Sequence, residues 1–162
     1  MIIKPSSVQQ LGSGTIISNN RFVGKGGNGA AEENGLGIWG APELTRDMSW
    51  SLRFELPLSL PLGTPTLRCI VLADQEAGSI SLEPSWASVL VGQSPSAALL
   101  LSEGAASISW SVGDNDKYLE ARWDLDAGSF VAGSIISMEL KVIEATSTHL
   151  KPVTILPSII FV

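Results

Sequence analysis

The sequence predicts an all-β protein, an antiparallel β-sandwich that is jelly-roll-like and is preceded by a glycine-rich N-terminal arm. Three observations favour this fold. Short runs of β-type residues alternate with turn clusters rich in glycine and proline, no window of a dozen residues keeps the 3.6-residue apolar period of a helix, and glycines concentrate near the N-terminus. Chains with this pattern bury their apolar faces between two packed sheets.

The clearest strand spans residues 49–56, SWSLRFEL, where Trp50, Leu52, Phe54 and Leu56 alternate with polar residues. Alternation of this kind buries one face of a strand and leaves the other in water. The segment PELTRD, residues 42–47, is expected to form one helical turn with Pro42 at its start. Seven further β-type runs follow residue 56, at about residues 66–73, 79–83, 97–102, 107–112, 118–125, 135–143 and 153–161.

The chain is divided by composition into an arm, residues 1–40, and a sandwich domain, residues 41–162. Nine of the sixteen glycines lie between residues 12 and 40. Gly24, Gly26 and Gly29 match the spacing G-x-G-x-x-G, but the following helix that a dinucleotide site needs is missing, because residues 30–33 are stopped at once by Asn-Gly. We therefore interpret the arm as a conformable contact segment, ordered by a partner.

The composition points to a surface that is covered by partners. Hydrophobic residues make up 44% of the chain and charged residues only 16%, against about 25% in ordinary globular proteins. The net charge of −6 argues against nucleic acid, and no run of about 18 apolar residues could span a membrane. The N-terminal MIIKPSSVQQ lacks the apolar core of a secretory signal, so we expect synthesis and assembly in the cytoplasm.

Residue types that carry catalysis are scarce. His149 is the single histidine and Cys69 the single cysteine, so neither a histidine-rich nor a mixed zinc site is possible, and no serine occupies a G-x-S-x-G elbow. Cys69 lies within the apolar run TLRCIVLA and is expected to be buried. We predict a protein that is not an enzyme and has no cofactor and no metal.

An acidic stretch, GDNDKYLEARWDLDA at residues 113–127, is the remaining candidate for chemistry. Asp114 and Asp116 lead into a strand in which Glu120, Arg122 and Asp124 share one face. Arg122 then lies between two acids, which favours a solvated strand face over a cation site, and the spacing departs from that of a calcium loop. A hydrolase that uses Asp and Glu stays open as a third function, because sequence does not show whether two carboxylates face one cleft.

The five tryptophans divide into two groups. Trp50, Trp110 and Trp123 fall on the apolar phase of predicted strands, where core burial is expected. Trp39 and Trp86 lie outside the clear strands, and we expect them to contact a partner or a ligand.

Two blocks of the sequence resemble small β-sandwich virion proteins of tailed bacteriophages, of the kind that decorate or cement the outside of the head. These blocks are WSLRFELPLSLPLGTPTLRCIVLADQEAGSISLEPSWASV and SISWSVGDNDKYLEARWDLDAGSFVAGSIISMELKVI, and they cover roughly residues 49 to 143. The resemblance implies a jelly-roll-like domain, commonly trimeric, that binds the major capsid protein on the capsid exterior. It transfers no catalytic residue.

The expected function is therefore that of a capsid decoration protein, and the alternative is a carbohydrate- or receptor-binding module of a phage fibre or tail. Exposed Trp39 and Trp86 on one flat face would favour sugar binding, whereas buried aromatics and a self-complementary apolar patch would favour assembly. The predicted partner-binding residues are mostly apolar members of the arm: Ile2, Ile3, Ile16, Ile17, Phe22, Val23, Trp39 and Trp86.

Overall fold

Strands dominate the part of the chain that the computed structural model describes, which is residues 1–11, 22–23, 32–33, 38–39, 49–72, 77–111, 113, 117–147 and 154–162. Short 3-10 turns occur at Pro95–Ala97 and Ala127–Ser129. The strands are β1 Ile2–Ile3, β2 Ser7–Leu11, β3 Phe22–Val23, β4 Glu32–Glu33, β5 Ile38–Trp39, β6 Ser49–Glu55, β7 Pro65–Leu72, β8 Gly78–Val89, β9 Leu101–Ser102, β10 Ala106–Trp110, β11 Tyr118–Asp124, β12 Ile135–Ser147 and β13 Thr154–Phe161.

Two antiparallel sheets pack face to face, which confirms the predicted β-sandwich. Sheet A has the order β1-β13-β7-β11, and β5 also pairs with β13. Sheet B has the order β10-β8-β12-β6-β2, and β9 also pairs with β8. From β6 to β8 and from β10 to β13, each successive strand lies in the opposite sheet.

The core forms where the alternating apolar residues of the two sheets meet. In β6, Trp50, Leu52 and Phe54 are buried, and each is opposite a buried residue of β12 in the register. From sheet A, β7 contributes Leu67, Cys69 and Val71 to the same cluster. Cys69 is buried as expected, and its burial raises the pKa of the thiol to about 12, so the group stays protonated and unreactive.

Strand β8 is longer than the sequence predicts. It continues from Gly78 through Pro84 and Trp86 to Val89, whereas the predicted run ended near residue 83. The Pro84 carbonyl accepts from the Glu103 backbone N–H, on the side of β8 where β10 and β9 pair. The missing N–H of Pro84 faces the same side, between the end of β9 and the start of β10, so the ladder with β12 is kept. Of the predicted run 97–102, only Leu101–Ser102 form a strand, β9.

The N-terminal residues do not form an arm separate from the sandwich. Strand β1 pairs with β13, β2 pairs with β6 along five residues, and Ile3 is buried in the core cluster. The predicted boundary at residue 40 is therefore wrong for the first eleven residues, because edge pairing and burial tie them to both sheets. The expected turn at 42–47 lies outside the described residues.

Candidate functional site at one end of the sandwich

Three loops meet at one end of the sandwich, which we call the apolar end. Residues 56–64 connect β6 to β7, residues 90–100 leave β8, and residues 125–134 connect β11 to β12. Because all pairs are antiparallel, the ends of β6, β8 and β11 lie beside the starts of β7 and β12, and β13 also finishes there.

Exposed large apolar side chains concentrate at the apolar end. Of the twelve in the described residues, eleven lie at this end or in the loop that leaves β8, and Tyr118 alone lies at the opposite end. Leu58 and Leu62 are 92% and 99% exposed, so they project almost wholly into solvent. The eleven are Met1, Ile2, Leu58, Leu62, Leu90, Val91, Leu99, Leu100, Val131, Ile135 and Val162.

The three loops carry almost no charge. Asp126 is their single charged residue, and its carboxylate is already occupied within its own turn. It accepts from the Ser129 hydroxyl at 2.6 Å and from the Gly128 backbone N–H at 3.2 Å, and the hydrogen bond from Ser129 is the largest cause of its lowered pKa. The apolar end therefore offers a partner carbon surface and main-chain groups.

Backbone hydrogen bonds hold the loops to one another. The Leu56 N–H donates to Ser134 O and the Gly133 N–H donates to Pro57 O, both at 2.9 Å, and Thr64 exchanges two bonds with Val162. Gly63 has a φ of +122°, and a Cβ built on it would lie 2.7 Å from the Val162 carbonyl oxygen. Only glycine fits this close approach, so the loop bearing Leu58 and Leu62 has a defined backbone.

Two buried tryptophans anchor the segment that follows the 90–100 loop. Trp86 Nε1 donates to Glu103 Oε1 at 3.1 Å, and Trp123 Nε1 donates to Gly104 O at 2.7 Å. Trp86 also packs edge-on against Phe130 of the 125–134 loop, with 5.7 Å between ring centroids. Since Trp86 belongs to sheet B and Trp123 to sheet A, the two indoles tie both sheets to neighbouring residues of one segment.

The structure corrects part of the predicted partner-binding set. Trp86 is fully buried and Ile3 is buried, because both face the interior of the sandwich, so neither offers a surface to a partner. Ile2 is exposed and belongs to the apolar end. Phe22, Val23 and Trp39 lie in short paired strands whose side chains are outside the description, and Ile16 and Ile17 lie outside the described residues.

Sequence reasoning missed the apolar end itself. The signal was present in LPLSLPLG, residues 56–63, where leucines recur between prolines with no charged residue, but the stretch was interpreted only as a turn. Four of the five tryptophans, including Trp50 and Trp110, are buried, so they provide no exposed stacking platform.

In the acidic stretch, the described carboxylate of Glu120 is held by two arginines on the outer face of sheet A. Glu120 accepts from Arg68 at 2.6 Å and pairs with Arg122 at 2.7 Å, and the hydrogen bond from Arg68 is the largest cause of its lowered pKa. No cluster of three or more His, Cys, Asp or Glu suited to a metal occurs within the described ranges. His149, Asp114 and Asp116 lie outside them.

No protein-family model matches the chain, and no curated protein matches it. Within the part of the chain that the structure describes, no helix is long and apolar enough to cross a membrane. The geometry of the apolar end is thus the observation on which a functional proposal rests.

Proposed function

We propose that this chain is a structural virion protein, a decoration or cement protein that binds the outer surface of a phage head and stabilises it. The apolar end is the attachment surface, and its main anchors are Leu58 and Leu62. The single observation that supports this proposal is the concentration of exposed apolar side chains on loops with one charged residue.

Such a surface favours association over solvation. Soluble monomers rarely expose large apolar patches, and the centre of a protein interface is depleted of charge. Because hydrogen bonds and Gly63 define the backbone of these loops, binding requires little additional ordering of the chain. The partner that fits is an equally apolar, charge-poor protein surface.

The resemblance to phage head-decoration proteins supplies the identity of that partner. We propose the major capsid protein as the partner on the capsid exterior, after assembly in the host cytoplasm, and a homo-oligomer, most simply a trimer, as the bound form. The function needs no catalysis, cofactor, metal, nucleic acid or membrane.

The alternative, a sugar- or receptor-binding module, depends on exposed aromatic rings. The side chains of Trp50, Trp86, Trp110 and Trp123 are buried, which leaves that alternative without a platform among the described side chains. The decoration role is therefore the better supported of the two.

Virions purified from the phage that encodes the chain provide the test. Quantitative mass spectrometry should find the chain in a fixed ratio to the major capsid protein, and immunogold labelling should mark the head. Absence of the chain from virions would overturn the proposal, and labelling confined to the tail would support the receptor-binding alternative instead.

A further inference from the structure

A groove of about 410 Å³ lies on the outer face of sheet B, where the 90–100 loop of the apolar end returns along β8. Its floor is formed by the outward residues of three neighbouring strands, Ser51 of β6, Ser137 and Glu139 of β12, and Ser85 of β8. Glu139 is directly opposite Ser51 on one side and Ser85 on the other. One carboxylate is thus centred in a row of hydroxyl groups.

The wall of the groove has a different character. It is formed by the loop that leaves β8, through Pro95, Ala98 and Leu100. Leu100 is 67% exposed, so its carbon surface is open to a bound group. An acceptor-rich floor beside an apolar wall matches a long cationic side chain, whose alkyl stem packs on carbon while its head binds oxygen.

Charge complementarity decides the kind of occupant. Glu139 is the one charged side chain that lines the groove, and it takes part in no ion pair within the described residues. The hydroxyl oxygens of the neighbouring serines add further acceptors for N–H groups. No aromatic ring lines the groove, so the stacking surface that a sugar ring requires is missing there.

We propose that this groove binds an arginine side chain of a partner protein, with the guanidinium on Glu139 and the stem along the 95–100 wall. Arginine suits the site because its planar head presents several fixed donors to one carboxylate and its neighbours. The groove shares the 90–100 loop with the apolar end, but neither Leu58 nor Leu62 lines it, so the two contacts can be tested separately.

The test is an amide NMR titration of the full-length protein with N-acetyl-arginine methylamide, compared with the neutral citrulline analogue. We expect saturable shifts at Ser85, Ser137 and Ala98 with the arginine probe, and binding weaker by about tenfold with citrulline, since hydrogen bonds to a charged group are the stronger kind. Equal shifts with both probes, or no shifts at these amides, would overturn the proposal.

Two test variants and one control variant sharpen the result. Glu139→Gln should weaken binding of the arginine probe by about tenfold. Glu144 is an exposed carboxylate on the same strand outside the groove, so Glu144→Gln should bind the probe as the parent does. Ala98→Phe should block the groove with the carboxylate intact. Unchanged binding in Glu139→Gln or in Ala98→Phe would show that the probe binds elsewhere.

Discussion

The indole Nε1 of Trp86 lies 3.1 Å from Oε1 of Glu103 and donates its hydrogen to that carboxylate. The ring is fully buried, while Glu103 is half-buried in the segment that follows the 90–100 loop. A buried N–H is costly without an acceptor, so this bond fixes where the loop returns to the sandwich.

Removing the acceptor is expected to destabilise the fold. Glu103→Ala should lower the free energy of unfolding by about 1–3 kcal/mol, because the Trp86 N–H loses its partner inside the protein. Glu103→Gln keeps an acceptor oxygen and should cost less. Urea denaturation measures both, with the exposed Glu55→Ala as the control, and an equal loss in Glu55→Ala and Glu103→Ala would contradict the role of the bond.

The apolar end can be tested without disturbing the core. Leu58→Glu and Leu62→Glu should change stability by less than about 0.5 kcal/mol, since both side chains are almost fully exposed. Co-sedimentation with phage heads that lack the protein should show binding weakened by about tenfold or more, because a charge would enter an apolar contact.

Tyr118→Glu is the matched control, since Tyr118 is 62% exposed at the opposite end of the sandwich. It should bind heads as the parent does. Equal weakening in this variant, or parent-like binding by both leucine variants, would place the attachment surface elsewhere.

Two glycines separate backbone strain from steric conflict. Gly63→Ala should lower the free energy of unfolding by about 1–3 kcal/mol, because residue 63 has a positive φ. It should lose further stability because the new Cβ would lie 2.7 Å from the Val162 carbonyl oxygen. Gly92 also has a positive φ, +89°, but a Cβ built on it would meet no atom within 4 Å. Gly92→Ala should therefore lose only the stability that the positive φ costs. Thermal unfolding compares them, and a Gly92 loss as large as that of Gly63 would exclude the contact as the cause.

The ion pairs of Glu120 on sheet A are expected to make a small, pH-dependent contribution to the stability of the fold. The hydrogen bond from Arg68 holds the pKa of Glu120 below its ordinary value, so the stabilisation is present above the unfolded pKa of about 4.3 and is lost as pH falls through the folded value. Glu120→Gln should therefore lower the free energy of unfolding by less than about 1 kcal/mol at pH 7, because the pair is solvent-exposed. In strong acid the substitution should leave the free energy of unfolding unchanged.

Glu144→Gln on the outer face of sheet B serves as the control for this series. Denaturation curves from pH 7 to pH 2 should converge for Glu120→Gln and the parent as the acid limit is approached. A stability difference that stays constant over that range would show that the carboxylate charge is not the cause.

Several elements of the fold could be predicted from local pattern alone. The alternation of Trp50, Leu52 and Phe54 identified β6 and its buried face, because successive side chains of a strand point to opposite sides wherever the strand lies. The same logic placed Trp110 and Trp123 in the core and aligned Glu120 with Arg122 on the outer face. That the charge-poor surface binds partners stays a prediction.

Which residues meet was decided only by the tertiary structure. Trp86 is buried because β8 continues past Pro84, and that depends on where β9 ends and β10 begins beside it. Ile3 enters the core because β13, more than 150 residues later in the chain, provides a pairing edge. The apolar end exists because antiparallel topology brings three separate loops together, and periodicity along one strand carries no information about the distance between loops.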